Sequence, residues 1–265
     1  MAQPLTDAIE ALTAYANTVT GKTPPDTTLS DAVATLAAGY GQGGISIDDV
    51  ATRNFPNDIT IDADISSYSF VNGKLKNVTI TSGKKINEHA FESSTIETLH
   101  APLLTTVRDA DYAFNGCNKL TTVEYGANII GAYTFQNCKG LTTLVFKEAT
   151  TIYTGSFRYD NALEIIDFCK ATEFIRQNTF NGCTVLDKII IRTQNVATLS
   201  YTNSFTNTPF ADGKAGGTLY VPQDLISSYQ SASNWSTILG YANNSIQAIE
   251  GSYYETHYVD GTPIE

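Results

Sequence analysis

Charged side chains are scarce in this chain of 265 residues, where Asp, Glu, Lys and Arg together make up 16% of the sequence. The charge is also unbalanced, with 27 acidic against 16 basic residues and a net charge of −11. Because a phosphate backbone repels such a surface, we expect no nucleic-acid partner. No apolar run approaches the roughly 18 residues that cross a bilayer, so we expect no insertion into a membrane.

Residue types that usually carry catalysis or bind metals are few and poorly placed. The three His lie in unrelated phases and the four Cys include no Cys-x-x-Cys pair, so neither type has zinc-ligand spacing. The motifs Gly-x-Ser-x-Gly and His-Glu-x-x-His are missing. Gly21-Lys22-Thr23 resembles the end of a phosphate loop, but Pro24 follows where a helix should begin, and Gly21 is better explained as a helix stop. We therefore expect no enzymatic activity, no cofactor and no metal.

Two pairs of Asp residues could contribute to calcium sites: Asp62 with Asp64, and Asp109 with Asp111. Calcium takes about six to eight oxygen ligands, and neither pair shows the rest of a binding loop. Asp109 and Asp111 also lie in an irregular insertion, where turn chemistry explains them.

What the sequence does contain is a repeat, which runs from about Ile65 to Phe205. A Phe recurs at intervals of 21 to 25 residues, and a Tyr often stands two residues before it. These anchors are Phe70, Phe91, Phe114, Phe135, Phe157, Phe180 and Phe205. A period in this range predicts a solenoid, in which each coil packs only on its neighbours.

The residues after each anchor keep a fixed phase. Phe114, for example, is followed at six, nine and eleven residues by Leu120, Val123 and Tyr125. This spacing is that of a leucine-rich repeat and turns the three apolar side chains inward from a short strand. It predicts about seven coils with a parallel strand sheet along one side.

Three of the four cysteines occupy the third position after an anchor: Cys117, Cys138 and Cys183. The shared phase favours a column of buried, reduced thiols. A disulfide between Cys117 and Cys138 is the alternative, since adjacent coils bring their Cα atoms near enough. Asp160 and Thr208 take the same position in two other coils, so the column is incomplete.

Cys169 lies one residue beyond an inward Phe and is expected to face outward, in a column with Lys147 and Arg192. Two flanking cations could lower the pKa of its thiol and make it reactive. We favour an incidental exposed thiol instead, because no His stands in a neighbouring coil to act as a base.

The outward side chains of the predicted strands form an ordered surface of mixed chemistry, which we take as the candidate ligand-binding face. A merely solvated sheet is the alternative. The candidate residues are Thr98, His100, Thr122, Glu124, Thr143, Val145, Lys147, Asp167, Cys169, Lys188 and Arg192.

The predicted fold is an α+β repeat solenoid of leucine-rich type, with an N-terminal helical hairpin and a C-terminal capping helix over residues 222–239. The tail is acidic, rich in Tyr and without a period, and we expect it to be ordered only if something holds it. The predicted divisions are a helical-hairpin attachment segment with a Gly-rich hinge (1–44), capping strands (45–64), the solenoid (65–221), a C-terminal cap (222–251) and the acidic tail (252–265).

The Asn-Gly-Cys that follows Phe114 and Phe180, together with Leu120-Thr121-Thr122-Val123, resembles the BspA-type leucine-rich repeat of bacterial surface proteins. The resemblance extends over about residues 65–250, since Leu219-Tyr220-Val221-Pro222 resembles the start of the cap in that family. It implies a recognition or adhesion module rather than an enzyme.

Residues 1–44 resemble the leaders of phage and prophage tail or fibre proteins, through Asp7-Ala8-Ile9, Gly21-Lys22-Thr23 and Leu29-x-Asp31-Ala32-Val33. The N-terminal segment also lacks the basic and apolar regions of a signal peptide. These features imply a phage virion protein, of tail-fibre or related type, that presents the solenoid for host recognition. We expect residues 1–44 to bind other virion subunits or further copies in a homo-oligomer, and the solenoid to bind a host cell-surface protein or glycan. The alternative is a secreted or surface-anchored BspA-like adhesin of a gut-type bacterium, with its signal removed.

Overall fold

The computed structural model describes residues 54–62, 64–81, 85–104, 110–170 and 174–264. The predicted helical hairpin at 1–44, the first part of the predicted capping unit and Asp109 lie outside these residues. The strands are β1 (Asp58–Ile61), β2 (Asn77–Ile80), β3 (Thr98–Ala101), β4 (Thr122–Tyr125), β5 (Ile129–Ile130), β6 (Thr143–Phe146), β7 (Thr151–Ile152), β8 (Ile165–Phe168), β9 (Phe174–Ile175), β10 (Lys188–Ile191), β11 (Thr198–Leu199), β12 (Thr218–Val221) and β13 (Ser245–Ala248).

The strands form a parallel β-solenoid, which confirms the repeat prediction. Four-residue strands build two parallel sheets along one side, in the orders β1-β2-β3-β4 and β6-β8-β10-β12-β13. Two-residue strands build a third parallel sheet, β5-β7-β9-β11, on another side of the same coils. Each coil hydrogen-bonds to the next through main-chain groups, so the backbone of the array is satisfied by its neighbours.

The anchor Phe residues form the axis of the core. Successive rings from Phe70 to Phe205 stack with centroids between 4.9 and 5.9 Å apart. At the N-terminal end, Phe55 packs edge-on against Phe70 at 5.0 Å and so covers the first ring of the stack. Stacked rings in every coil explain why the sequence needs a Phe at this phase.

The thiol column is confirmed. Cys117, Cys138 and Cys183 are buried and reduced. Each sulfur lies beside a main-chain carbonyl oxygen of an earlier coil, at distances of 3.1, 3.2 and 2.9 Å in turn. Burial raises the pKa of the Cys117 thiol to about 12. These thiols therefore act as small packing groups with a weak donor.

The prediction of a single capping helix over residues 222–239 is wrong. The chain forms two short helices, α1 (Ile226–Ser231) and α2 (Trp235–Leu239), separated by an extended Ala232 and by Asn234 at φ 64°. The α+β assignment is correspondingly too helical, because these are the only α-helices in the described ranges.

The break in the cap has a packing reason. Residues six apart lie about 120° apart around a continuous helix, so Tyr229 and Trp235 could not both face the last coil. With the break, both are fully buried. The amide of Ala197 donates to the Tyr229 hydroxyl at 2.9 Å, and the Trp235 indole donates to the Ala197 carbonyl at 2.7 Å. Two hydrogen bonds to one residue thus fix the cap on the solenoid.

Candidate interaction surface

The residues predicted to bind a ligand include laterally paired side chains of neighbouring strands, and we call this set of residues the strand face. The register places Thr98 beside Thr122 and His100 beside Glu124. It also places Val145 beside Asp167. Lys147, Cys169 and Arg192 each follow directly after a strand of the second sheet. Because β4 and β6 belong to different sheets, these residues form two groups rather than one continuous surface.

The first group, which we call the open half, comprises Thr98, His100, Thr122 and Glu124 of β3 and β4, whereas Thr143 and Val145 lie on β6 of the second sheet. The His100 imidazole contacts the Glu124 carboxylate across β3 and β4, while the two side chains remain 57% and 53% exposed. Thr98 donates a hydrogen bond of 2.7 Å to the Asn77 side chain of the preceding strand. This part of the strand face therefore presents aligned polar groups to solvent.

The second group, which we call the covered half, comprises Lys147, Asp167, Cys169, Lys188, Ile190, Arg192 and Tyr220. The tail of the chain lies across it, so what holds the tail is the predicted binding face itself. The tail contains a short turn in which His257 bridges Pro263 and the Tyr258 amide donates to the Thr262 carbonyl at 2.8 Å. Gly261, at φ 84°, allows the chain to reverse.

Arg192 is the centre of the contact between tail and strand face. Its guanidinium makes a bidentate ion pair with Asp167, at 2.8 and 2.7 Å. The same group donates to the main-chain carbonyls of Tyr254 at 2.6 Å and His257 at 3.1 Å. Asp167 in turn accepts a hydrogen bond from the main-chain amide of Val259. The pair thus contacts three peptide groups of the tail.

Aromatic rings complete the contact. The Tyr258 ring lies 5.1 Å from the Lys147 ammonium and 5.3 Å from the Arg192 guanidinium, which is the range of a cation–π interaction. The Tyr254 ring meets the Tyr220 ring edge-on at 4.8 Å. Sequence reasoning missed these tail residues as partners of the strand face. The available signal was an acidic, Tyr-rich tail in a chain whose strand face carries a cluster of cations.

Cover by the tail changes the electrostatics of the predicted site. Asp167 is fully buried and the Arg192 side chain is only 11% exposed. Burial raises the pKa of Asp167, and the adjacent guanidinium only partly opposes that shift. Lys188, at the margin, has a raised pKa because its ammonium hydrogen-bonds to Asp187 at 2.9 Å.

The favoured prediction of an exposed Cys169 thiol is wrong, and the lowered thiol pKa considered for this residue is not found either. The residue does face the strand side, but it is half-buried beneath the tail. Burial, followed by the nearby Asp167 carboxylate, raises the pKa of the thiol to about 12, and the Arg192 and Lys147 charges do not offset this. A thiol in this state is not an activated nucleophile.

Three of the four Asp residues weighed as calcium ligands lie in the described part of the chain, and each accepts a hydrogen bond from the next coil. Asp62 accepts from the Thr81 hydroxyl at 2.6 Å and Asp64 from the Lys85 amide at 2.9 Å. Asp111 accepts from the Ala132 amide at 2.6 Å. Within the described residues, no group of three or more His, Cys, Asp and Glu side chains could hold a metal ion.

A ladder of four stacked rings lies on another side of the solenoid and was not predicted from the sequence. Tyr68, His89, Tyr112 and Tyr133 stack with centroids 4.8 Å apart. All four have φ between 55 and 63°, a region that bulky residues rarely adopt. Because the ring faces cover one another, this ladder stabilises the coil turns and offers mainly ring edges to a ligand.

Residues 63–187 match the BspA type leucine rich repeat region in six copies. Repeat scaffolds of this type typically act in protein binding or adhesion rather than in catalysis. A comparison with curated proteins found no match. No helix in the described part of the chain has the length and apolar character needed to span a bilayer.

Proposed function

We propose that this chain is a non-catalytic recognition protein, whose BspA-like solenoid binds a protein partner through the open half of the strand face. The observation that carries the proposal is the alignment of Thr98, His100, Thr122 and Glu124 across neighbouring strands with their polar groups toward solvent. A rigid row of donors and acceptors at strand spacing suits recognition of a partner surface, because few side chains need to be ordered on binding.

The open half can be tested by reversing its charge at Glu124. The Glu124→Arg substitution replaces an exposed carboxylate in the middle of the proposed interface and sets a cation beside His100. We expect binding to the partner cell surface to fall by about tenfold or more, as at a charged interface position near a hot spot. The measurement is titration of the labelled protein onto candidate host or bacterial cells, with melting temperature checked first.

Asp212→Arg is the matched control. Asp212 is an exposed carboxylate in the loop before β12, outside the columns of the strand face. The same charge reversal there should leave binding unchanged. Equal losses for the two variants would show a general charge effect and would count against the open half as the interface.

The biological setting that we propose is a phage virion, in which residues 1–44 join the solenoid to other subunits or to further copies of the chain. This proposal rests on the sequence of that segment, whose residues lie outside the described part of the structure. A host cell-surface protein or glycan would then be the partner of the solenoid. A secreted or surface-anchored bacterial adhesin is the alternative setting.

Deletion of residues 1–44 tests whether the protein belongs to a phage virion or is a bacterial adhesin. If the segment is an attachment device, the shortened protein should fold with an unchanged melting temperature but be missing from purified particles. Immunodetection of the protein in those particles is the measurement. Particles that still incorporate the shortened chain would exclude this role for the segment, and a signal sequence upstream in the gene would favour the adhesin.

A further inference from the structure

The tail is bound through contacts that a separate peptide could also make. Arg192 donates hydrogen bonds to two main-chain carbonyl oxygens of the tail, and Asp167 accepts one from a main-chain amide. Every peptide carries these groups, so the Asp167–Arg192 pair does not depend on tail side chains for its hydrogen bonds. A bidentate ion pair also holds the guanidinium in a fixed orientation, which is the arrangement expected of a preorganised binding group.

The surroundings of the pair favour one kind of peptide. Lys147 and Arg192 both face the ring of Tyr258, and Tyr220 faces the ring of Tyr254. Ile190 is fully buried although it points away from the core. Cations, an apolar side chain and a Tyr edge together suit a segment that carries aromatic rings and negative charge.

The tail itself contributes nothing to the core of the solenoid. None of the side chains described between Ser252 and Ile264 is buried, and none belongs to the hydrophobic core. Segments with few buried contacts open at low free-energy cost, well below that of global unfolding. The tail can therefore leave the strand face without exposing the stacked Phe rings.

From these observations we infer that the covered half is a peptide-binding site for an acidic, tyrosine-containing segment of a partner protein, and that the tail occupies this site in cis. This inference rests on the proposed function, since it adds a second and more selective site to the same recognition face. A tethered tail has an effective concentration of the order of millimolar, so a partner segment must displace it before it can bind.

The experiment begins with the full chain and a site-specific protease sequence inserted after Gly251. Gly251 is exposed in a turn outside the hydrophobic core, so an insertion after it leaves the packed coils unchanged. Cleavage followed by gel filtration removes the tail from folded protein. The probe is a fluorescent synthetic peptide of residues 252–265, whose binding is followed by anisotropy up to millimolar concentration.

The expected result is saturable binding to the cleaved protein and at least about tenfold weaker binding to the uncut protein, because the tethered tail competes. Arg192→Ala in the cleaved protein should weaken binding by at least about tenfold. Arg176→Ala, which removes an exposed Arg on another side of the solenoid, should not. A Tyr258→Ala peptide should also bind more weakly, and that comparison involves no change to the folded protein.

Two results would overturn the inference. Cleaved protein that keeps its melting temperature but fails to bind the peptide would show that the tail is held only by its covalent connection. Cleaved protein that unfolds would show that the tail belongs to the fold. Either result leaves the proposed function standing, because the Glu124→Arg titration examines the open half and needs neither the tail nor the peptide.

Discussion

Phe135→Ala is expected to lower the free energy of unfolding by about 3–5 kcal/mol, since it removes a fully buried ring from the middle of the stack. Phe135 lies 5.4 Å from Phe114 and 5.9 Å from Phe157, measured between ring centroids. It also meets Tyr125 edge-on at 5.6 Å. Collapse of the neighbours into the cavity is restricted, because stacked coils are held at strand spacing by their main-chain hydrogen bonds.

Chemical denaturation followed by circular dichroism measures this loss. Tyr133→Ala is the matched control, because Tyr133 is only half-buried and its ring stacks on Tyr112 in the outer ladder. Loss of that stacking should cost about 0.5–1.5 kcal/mol. If the two substitutions cost the same, the Phe stack would not be the dominant source of core stability.

Phe135→Ala should also cause the two ends of the solenoid to unfold separately. A repeat array is stabilised by interfaces between neighbouring coils, so a weak interface in the middle uncouples the two ends. The only Trp of the chain, Trp235, is buried in the C-terminal cap and reports on that end. In Phe135→Ala, fluorescence and circular dichroism should give separate unfolding midpoints, whereas they should coincide in the parent protein.

Asp160→Cys is expected to raise the free energy of unfolding at neutral pH by about 1–3 kcal/mol, the usual cost of an unsatisfied buried polar group. Asp160 is fully buried at the Cys position of its coil. One carboxyl oxygen accepts from the Cys138 amide at 2.7 Å, while the other has no hydrogen-bond partner among the described residues. The thiol would restore the column and remove the unsatisfied oxygen.

The effect of Asp160 should depend on pH. Burial raises the pKa of this carboxyl well above its ordinary value, against the opposing hydrogen bond from Cys138. The folded protein therefore keeps a proton that the unfolded chain releases above about pH 4. The contribution of Asp160 to the free energy of unfolding is fully present below that pH. It falls as the pH rises, by up to about 1.4 kcal/mol per pH unit, until the pH passes the pKa of Asp160 in the folded protein.

Asp160→Asn isolates the pH-dependent contribution of Asp160 to stability, because the Asn amide is similar in shape to the carboxyl group and does not ionise. The difference in unfolding free energy between Asp160→Asn and the parent protein should grow between pH 4 and pH 7. Asp187→Asn is the control, since the Asp187 side chain is 47% exposed and surface changes usually stay within about 0.5 kcal/mol. A difference that stays flat with pH would mean that Asp160 is ionised in the folded protein.

The sequence by itself determined the repeat, its inward columns and the lateral order of the strand face. These features follow from a short period, because each coil touches only the next one and repeats the same local geometry. Hence the phase of the Phe anchors predicted one coil for each Phe, and the structure shows that their rings stack. The alternation along each strand likewise predicted the column that holds His100 and Glu124, and the register of β3 and β4 confirms it. The column of Cys117, Cys138 and Cys183 followed in the same way.

The break in the cap and the cover over the strand face were decided only by the tertiary structure. Tyr229 and Trp235 share one partner residue, Ala197, which lies 32 and 38 positions earlier and outside any periodic relation to them. Arg192 meets the tail 62 and 65 residues away. No local pattern specifies such contacts. For that reason the sequence predicts Cys169 to be an exposed thiol between two cations. In the folded protein the residue is half-buried under the tail, and this burial raises the pKa of its thiol.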